Sequence, residues 1–271
     1  MLSCRRMPLI AITREVSPSI NRCEISFQSR QPIDFHRAVA EHRAYQNCLE
    51  QLGVQILSLP VEPELPDSVF VEDAAVVVGE VAVIPIMGAE SRRPETATVA
   101  SVLSAYREIR YLQPPATLDG GDVMAAGKRL FVGLTARTNA EAVSQLRKIL
   151  LPHGYTVHAV GVRGVLHLKS ACSYLGNGAL LINRHLLEKM EFSGCDLIDL
   201  PSDEPAAANA LVVNKTVILA AAFPKTADLL GSKGFRVIAL DVCELQKAEA
   251  GVTCCSLIFE ATSTPPQVAQ A

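Results

Sequence analysis

The segment Gly251-Val252-Thr253-Cys254-Cys255-Ser256-Leu257-Ile258-Phe259 places two neighbouring thiols at the entrance of an apolar, strand-like run. Strand alternation turns one of two neighbours toward a pocket and the other into the core, so one of this pair is positioned to act as a nucleophile. Two upstream segments supply what such a thiol needs. Leu118-Asp119-Gly120-Gly121-Asp122 offers an acid beside glycines that let a ligand approach the backbone closely, and Leu166-His167-Leu168-Lys169-Ser170 offers an imidazole. Acid, histidine and thiol, in that chain order, are the parts of a cysteine nucleophile with an oriented base. Each part also has a plainer reading. Free cysteines are often small buried hydrophobes, a histidine among apolar neighbours is commonly a core residue, and Asp-Gly-Gly is commonly a turn.

Charge adds a second layer. Asp67, Glu72 and Asp73 precede an otherwise apolar strand, in Asp67-Ser68-Val69-Phe70-Val71-Glu72-Asp73. Carboxylates entering a core demand a positive partner. A guanidinium suits them, because its forked donors meet carboxylates in bidentate geometry, and no adjoining histidine suggests a metal instead. Arg92, in Ser91-Arg92-Arg93, and Arg137, in Arg137-Thr138-Asn139, each follow the second strand of a repeated unit, where an arginine could clamp an α-carboxylate. Surface ion pairing is the alternative for both. One amino acid with a guanidinium tail would explain carboxylates and arginines together.

The elements that must position these residues recur as strand, strand, helix, strand. One pass reads Ala74–Val78, Val81–Ile86, a helix over Glu95–Arg107 and Ile109–Leu112. The next reads Gly121–Ala126, Leu130–Leu134, a helix over Asn139–Leu151 and Tyr155–Val160. A third reads Ser170–Leu175, Ala179–Asn183, a short helix over His185–Phe192 and Leu197–Leu200. A fourth reads Ala210–Val213, Thr216–Ala221, a helix over Pro224–Gly231 and Phe235–Leu240. Strand Leu9–Arg14, a helix over Asp34–Leu52 and strand Val54–Leu59 make most of a fifth unit, which Cys255–Phe259 completes. Polar markers keep the register: Asp73 to Asp122 is 49 residues, Asp122 to Ser170 is 48, Ser170 to Asn209 is 39 and Asn209 to Cys255 is 46. Because the markers coincide with the chemical residues, the pattern favours a closed, propeller-like array of five units around a central pocket over an open α/β sheet.

No linker divides the 271 residues, and 49% apolar against 20% charged residues describes a globular chain, read as one domain over 1–271. A net charge of −3 without a basic block argues against nucleic acid as a partner. No apolar run approaches the length of a membrane span, and no signal peptide is legible; Met7 is a second candidate start. The eight cysteines form no Cys-x-x-Cys pair and match no zinc spacing, so reduced thiols in the cytoplasm are expected. Residues 15–33 lack periodicity, and a loop that long is functional or mobile.

Taken together, these motifs resemble the dimethylarginine dimethylaminohydrolase family of the guanidine-modifying superfamily, over about Leu9 to Phe259. Pro66 to Asp73, Ser91-Arg92-Arg93, Leu118 to Asp122, Arg137-Thr138-Asn139, Leu166 to Lys169, Ala207-Ala208-Asn209 and Thr253 to Ser256 carry the resemblance. It implies a five-bladed pseudo-symmetric α/β propeller of ββαβ units, the pentein fold, with no cofactor and no metal. It further implies Cys254 as nucleophile, His167 as acid and base, and Asp119 as the acidic partner. Glu72 and Asp73 would engage the guanidinium, Asp67 the amino-acid end, and Arg92 and Arg137 the carboxylate. The implied reaction converts N-methylated arginine to citrulline and a methylamine through a thiouronium on Cys254. Arginine deiminases, which are similar, carry an aspartate two residues after the histidine; here that place is Lys169, which favours an N-substituted guanidine. Two stretches depart from well-known members: Pro85-Ile86-Met87-Gly88 before the Ser-Arg-Arg motif, and Asn21-Arg22-Cys23-Glu24-Ile25-Ser26 in a loop expected to form a lid. Cys23 in such a lid is a candidate redox-sensitive thiol.

Three other readings compete. The chain could be a deiminase, amidinotransferase or hydrolase for another guanidino compound; a non-catalytic binder of a cationic amino acid; or a cysteine amidase or protease. The complete acid, histidine and thiol set opposes the second, and Glu72-Asp73 does not suit the neutral amide of the third. A small guanidino amino acid is the expected partner, and a monomer or homodimer the expected assembly.

Overall fold

The computed structural model describes residues 7–188, 192 and 194–261. β1 (Leu9–Arg14) leads through a long loop into α1 (Phe35–Gln51) and then β2 (Val54–Leu59), which lies parallel to β1. The second unit contains β3 (Val76–Val77), β4 (Val81–Ile84), α2 (Thr96–Leu103) and β5 (Glu108–Tyr111). The third contains β6 (Val123–Ala126), β7 (Arg129–Leu134), α3 (Ala140–Leu150) and β8 (Thr156–Gly161). The fourth has strands β9 (Cys172–Gly176), β10 (Ala179–Ile182) and β11 (Asp196–Asp199). The fifth contains β12 (Ala210–Val213), β13 (Thr216–Ala220), α4 (Pro224–Ser232) and β14 (Arg236–Leu240). A short α5 (Cys243–Gln246) then leads to β15 (Leu257–Glu260).

Each unit forms one three-stranded sheet with the same internal logic. Its middle strand pairs antiparallel with one neighbour through a short turn and parallel with the other through a longer crossover. The first sheet obeys the rule by circular permutation: β15 pairs antiparallel with β1, joining Leu9 to Glu260 and Ile12 to Leu257. Strands from all five sheets, β3, β6, β9, β12 and β15, line an axial cavity of about 540 Å³. This is the five-bladed α/β propeller.

Local sequence explains the outer layer. Asp34 caps α1 by accepting from Arg37 N at 3.1 Å, and Asn139 caps α3 by accepting from Ala142 N at 3.0 Å. In α3 the buried face is Ala142, Val143, Leu146 and Leu150, the spacing of one helical stripe, and it packs into a cluster with Leu130, Val132 and Val157. Each leucine in such a face contributes roughly 1.5–3 kcal/mol by burial. No helix among the described residues is long and apolar enough to cross a membrane.

The fourth unit departs from the expected helix over His185–Phe192. Among its described residues only a 3₁₀ turn, Arg184–Leu186, forms there, with Asn183 Oδ1 accepting from His185 N at 3.1 Å. The chain then turns extended and bridges to the loop after β8: Arg163 N donates to Leu186 O, Leu187 bridges Val162, and Glu188 N donates to Gly161 O at 2.9 Å. Those tertiary bonds take the groups a helix would have used. Residues 189–191 of that expected helix lie outside the described residues. Elsewhere the expected strand starts are 3₁₀ turns: Val71–Ala74, Gly120–Asp122 and Leu168–Ser170 each precede the first strand of a blade. The chemical markers therefore sit on tight turns at one end of the blades, just before those strands.

Candidate active site

These turns bring Asp73, Asp119 and His167 together, and they and Cys254 converge at the axis from four sheets. His167 Nε2 lies 3.1 Å from Asp119 Oδ2, and Nδ1 lies 3.9 Å from Asp73 Oδ1. Asp119 is itself fixed, since its Oδ1 accepts from Gly88 N at 2.9 Å. Asp73 Oδ1 accepts from Gly121 N at 2.9 Å, and its Oδ2 accepts from Arg92 Nη1 at 2.7 Å. Burial works against a charged imidazole at His167, but Asp73, the hydrogen bond to Asp119 and the charge of Asp122 outweigh it and raise the group to about 9. Burial likewise opposes the charge on Asp73, yet His167 and Arg92 hold its carboxyl well below the usual range. The pair rests as imidazolium and carboxylate.

Cys254 Sγ accepts from Gly251 N at 3.3 Å, and the residue is partly buried, lining the same pocket as His167, while Cys255 packs fully into the core. The two thiols lie on the turn before β15 rather than in a strand, and that turn, not strand alternation, faces Cys254 to the pocket and Cys255 to the core. Burial first, then the charges of Glu72 and Asp73, push the Cys254 thiol up to about 12. The resting Cys254 is a neutral thiol beside two carboxylates, and a further cation brought into the pocket would favour its thiolate.

The two arginines differ. Arg92 is almost fully engaged: Nε and Nη2 donate to Glu95 at 3.1 and 2.9 Å, Nη1 to Asp73, and Nη2 also to the carbonyls of Asp67 and Phe70. One N–H of Nη1 remains uncommitted. Arg137 is buried, its Nη1 stands 3.6 Å from Asp119 without a hydrogen-bond partner, and its Nη2 reaches Ser26 Oγ at 3.5 Å. Arg137 is therefore the freer anion-binding group. Asp67 accepts from Glu24 N with both oxygens, at 3.2 and 3.1 Å, and burial raises its carboxyl against the pull of Arg92.

Glu72 faces the axial channel. Its Oε1 accepts from Lys169 Nζ at 2.7 Å and its Oε2 from Thr253 Oγ1 at 2.6 Å. The Glu72 amide donates to Cys254 O at 3.1 Å, so the turn carrying Glu72 and the turn carrying the thiol are bonded directly. Asp67, Asp73, Arg92, Arg137, His167 and Cys254 line one pocket, together with Glu24, Phe70, Leu166 and residues 248–250.

Three contributors escaped the sequence reading. Glu95 balances Arg92 and is pushed by burial up to about 7; its spacing three residues after Arg92 was the available signal. Asp122 was noted only as a repeat marker, yet it accepts from Thr135 Oγ1, Thr138 Oγ1 and Leu168 N and braces the turn carrying His167. Asn209 ties Lys169 O to Thr253 through its side chain. Cys23 departs from the redox expectation: it is fully buried, and burial, reinforced by Asp67, pushes its thiol up to about 11, which leaves little thiolate to oxidise. All seven cysteines among the described residues are free. Asp73, Asp119 and His167 offer atoms within 4.8 Å of one another, but each already has a protein partner, an arrangement suited to moving a proton.

The space left in the pocket is about 20 Å³, room for about one water molecule. The loop before α1 covers it, through Glu24 and Ser26.

Comparison with known proteins places this geometry among relatives. The family model described as N,N dimethylarginine dimethylhydrolase, eukaryotic, matches residues 10–260. An N(G),N(G)-dimethylarginine dimethylaminohydrolase of Pseudomonas aeruginosa is 37% identical over 228 residues, which is 83% of this chain and 90% of that protein. A solved structure of the Pseudomonas aeruginosa enzyme, a cysteine-to-serine mutant complexed with citrulline, superimposes with a TM-score of 0.88 at 35% identity, covering 94% of this chain and 100% of that one. A histidine-to-glycine mutant of a dimethylarginine dimethylaminohydrolase, as an adduct with S-methyl-L-thiocitrulline, matches equally, with a TM-score of 0.88 at 35% identity over 93% of this chain and 100% of that one.

Proposed function

Because the chain belongs to the N,N-dimethylarginine dimethylhydrolase family, we propose that it hydrolyses N-methylated arginine to citrulline and a methylamine, with Cys254 as nucleophile. The observation that carries the assignment of roles is the convergence of Cys254, the His167–Asp119 pair and Asp73 on one small pocket with the under-used Arg137 at its edge.

The substrate's guanidinium enters beside Asp73 and brings a positive charge next to the Cys254 thiol. That charge offsets Glu72 and Asp73 and lowers the thiol from about 12, so that its proton passes by way of water to solvent while the protonated His167 remains as the acid. The thiolate then attacks the guanidinium carbon. His167, already protonated because it stands near 9, gives its proton to the departing methylamine nitrogen as the C–N bond breaks, leaving a thiouronium on Cys254. The imidazole, now neutral, takes a proton from water; the resulting hydroxide adds to the same carbon, and as the C–S bond breaks the added hydroxyl becomes the ureido carbonyl and its proton passes to the departing sulfur, releasing citrulline and restoring the neutral thiol and the imidazolium. Asp119 holds the ring throughout, while Arg137 and the free N–H of Arg92 bind the α-carboxylate and Asp67 the amino-acid end. Lys169, paired with Glu72, presents no carboxylate to grip a second unsubstituted nitrogen, which supports a methylated guanidine over arginine. We further read the chain as one domain, a monomer or homodimer of the cytoplasm, with residues 15–33 as its lid.

Purified protein incubated with asymmetric dimethylarginine, monomethylarginine or arginine, with Cys254→Ser alongside, tests this. Citrulline from the methylated substrates, absent in the variant, is expected. Citrulline mainly from arginine would make the chain a deiminase, and none from any of the three would move the search to other guanidino compounds.

A further inference from the structure

The lid is internally braced. The side chain of Asn21 brackets Ile33, with Nδ2 donating to Ile33 O and Oδ1 accepting from Ile33 N, both at 2.8 Å. Arg30 spans the interior, donating to Asn21 O at 2.8 Å and Cys23 O at 2.6 Å. A loop closed at its base and riveted within moves as a body. A pocket of about 20 Å³ admits no amino acid, so that body must swing away in every cycle.

What holds it down is unequal. Glu24 N bonds to Asp67 and Ser26 Oγ meets Arg137, but both of those partners belong to the proposed substrate-binding set and are surrendered when substrate arrives, which leaves a single bond from Ser91 Oγ to Glu24 Oε1 on that side. The tie at the tip is different. The carboxylate of Glu249 accepts from three successive amides at the lid tip: Ser26 N at 3.1 Å, Phe27 N at 2.5 Å and Gln28 N at 2.6 Å. Three N–H groups converging on one anion form a charge-assisted anchor. Glu249 itself sits in the left-handed region, at φ 60°, in the turn between α5 and the nucleophile. A residue with a Cβ keeps that backbone only where its surroundings over-determine it. The side chain that over-determines it reaches away from its own segment, to the lid.

We propose that Glu249 is a positioning residue, a latch that couples the lid tip to the turn carrying Cys254 and keeps the lid closed over the bound substrate. The latch rests on the proposed function only for the identity of that substrate. The first test therefore uses no turnover: amide hydrogen exchange of the unliganded protein, read at Ser26, Phe27 and Gln28, in wild type, E249Q and E249A. E249A should raise exchange at these three amides about tenfold or more, because it removes hydrogen bonds to a charged acceptor, while the strands of the five blades keep their protection. E249Q retains a neutral acceptor at the same reach and should fall between the two. With the best substrate found, E249A should raise KM about tenfold and leave kcat within about threefold, since closure binds substrate without touching the reacting carbon, and E249Q should rescue part of the loss. Unchanged protection at the lid tip in E249A overturns the latch, as does exchange that rises across all blades together. A loss confined to kcat overturns its positioning role. An enzyme that ignores methylated arginine but shows the lid-tip effect would sink the substrate assignment and leave the latch standing.

Discussion

Gly121 and His167 are in contact so close that no side chain fits between them: a Cβ on Gly121 would lie 2.6 Å from Nδ1 of the imidazole and 2.8 Å from Asp73 Oδ1. The glycine is thus the wall against which the His167 imidazole is set. Gly121→Ala should push the ring off its position and lower kcat about a hundredfold, as displacements of about an ångström do. Steady-state kinetics at saturating substrate decides it, and a wild-type kcat would show that the ring has slack. Gly120 is different, because its Cβ would meet the backbone oxygen of Glu72 at 2.0 Å. Gly120→Ala should therefore damage folding before activity.

Asp119 holds Nε2 of His167 and contributes to its raised pKa. Asp119→Asn keeps the shape and removes the charge. The expected result is a kcat lower by about 10²–10⁴ and an alkaline limb of the pH–rate profile displaced to lower pH. A profile whose limb stays in place would assign the raised pKa to Asp73 and Asp122 alone.

Arg92 and Arg137 should separate stability from binding. Arg92→Ala strands the buried carboxylates of Asp73 and Glu95 and should cost about 3–5 kcal/mol in urea unfolding. Arg137→Ala strands fewer groups and should chiefly raise KM, with a small change in unfolding midpoint. Equal destabilisation by both would mean that Arg137 is a structural brace.

The resting charge pair predicts how stability follows pH. His167 binds its proton more tightly folded, near 9, than unfolded, near 6.5. Its contribution is therefore complete below about pH 6.5 and is lost as pH rises to 9, an amount on the order of 3 kcal/mol. Asp73, whose pKa is lowered, acts in the opposite sense and only in acid. Unfolding free energies at pH 6 and pH 9.5 should differ by that amount in wild type and lose most of the difference in His167→Asn. A slope that survives in the variant would assign it to other groups.

The five-unit array was legible because polar markers recur, each lying just before a first strand, and Asp119, His167 and Cys254 could be picked out as candidates because each stands within three residues of one of them. The helix over His185–Phe192 was not, since its periodicity is local and the bridge from Leu187 to Val162 is tertiary. The near-complete engagement of Arg92 was hidden because spacing shows a charge but not its partners. The latch was hidden most thoroughly: Ser26 and Glu249 are 223 residues apart, and nothing near Glu249 marks it as an acceptor for a distant loop.

The pairing of β15 with β1 also governs when this enzyme can begin to exist. The acid and the histidine precede the thiol in the chain, and the thiol stands within a few residues of the strand that seals the ring. A chain ending at Ser256 would hold every catalytic group yet leave one edge of β1 unpaired, and it should be inactive in the citrulline assay. The setting of the Cys254 turn thus depends on a contact between the two ends of the fold, and the same strand pair that closes the ring orders the thiol.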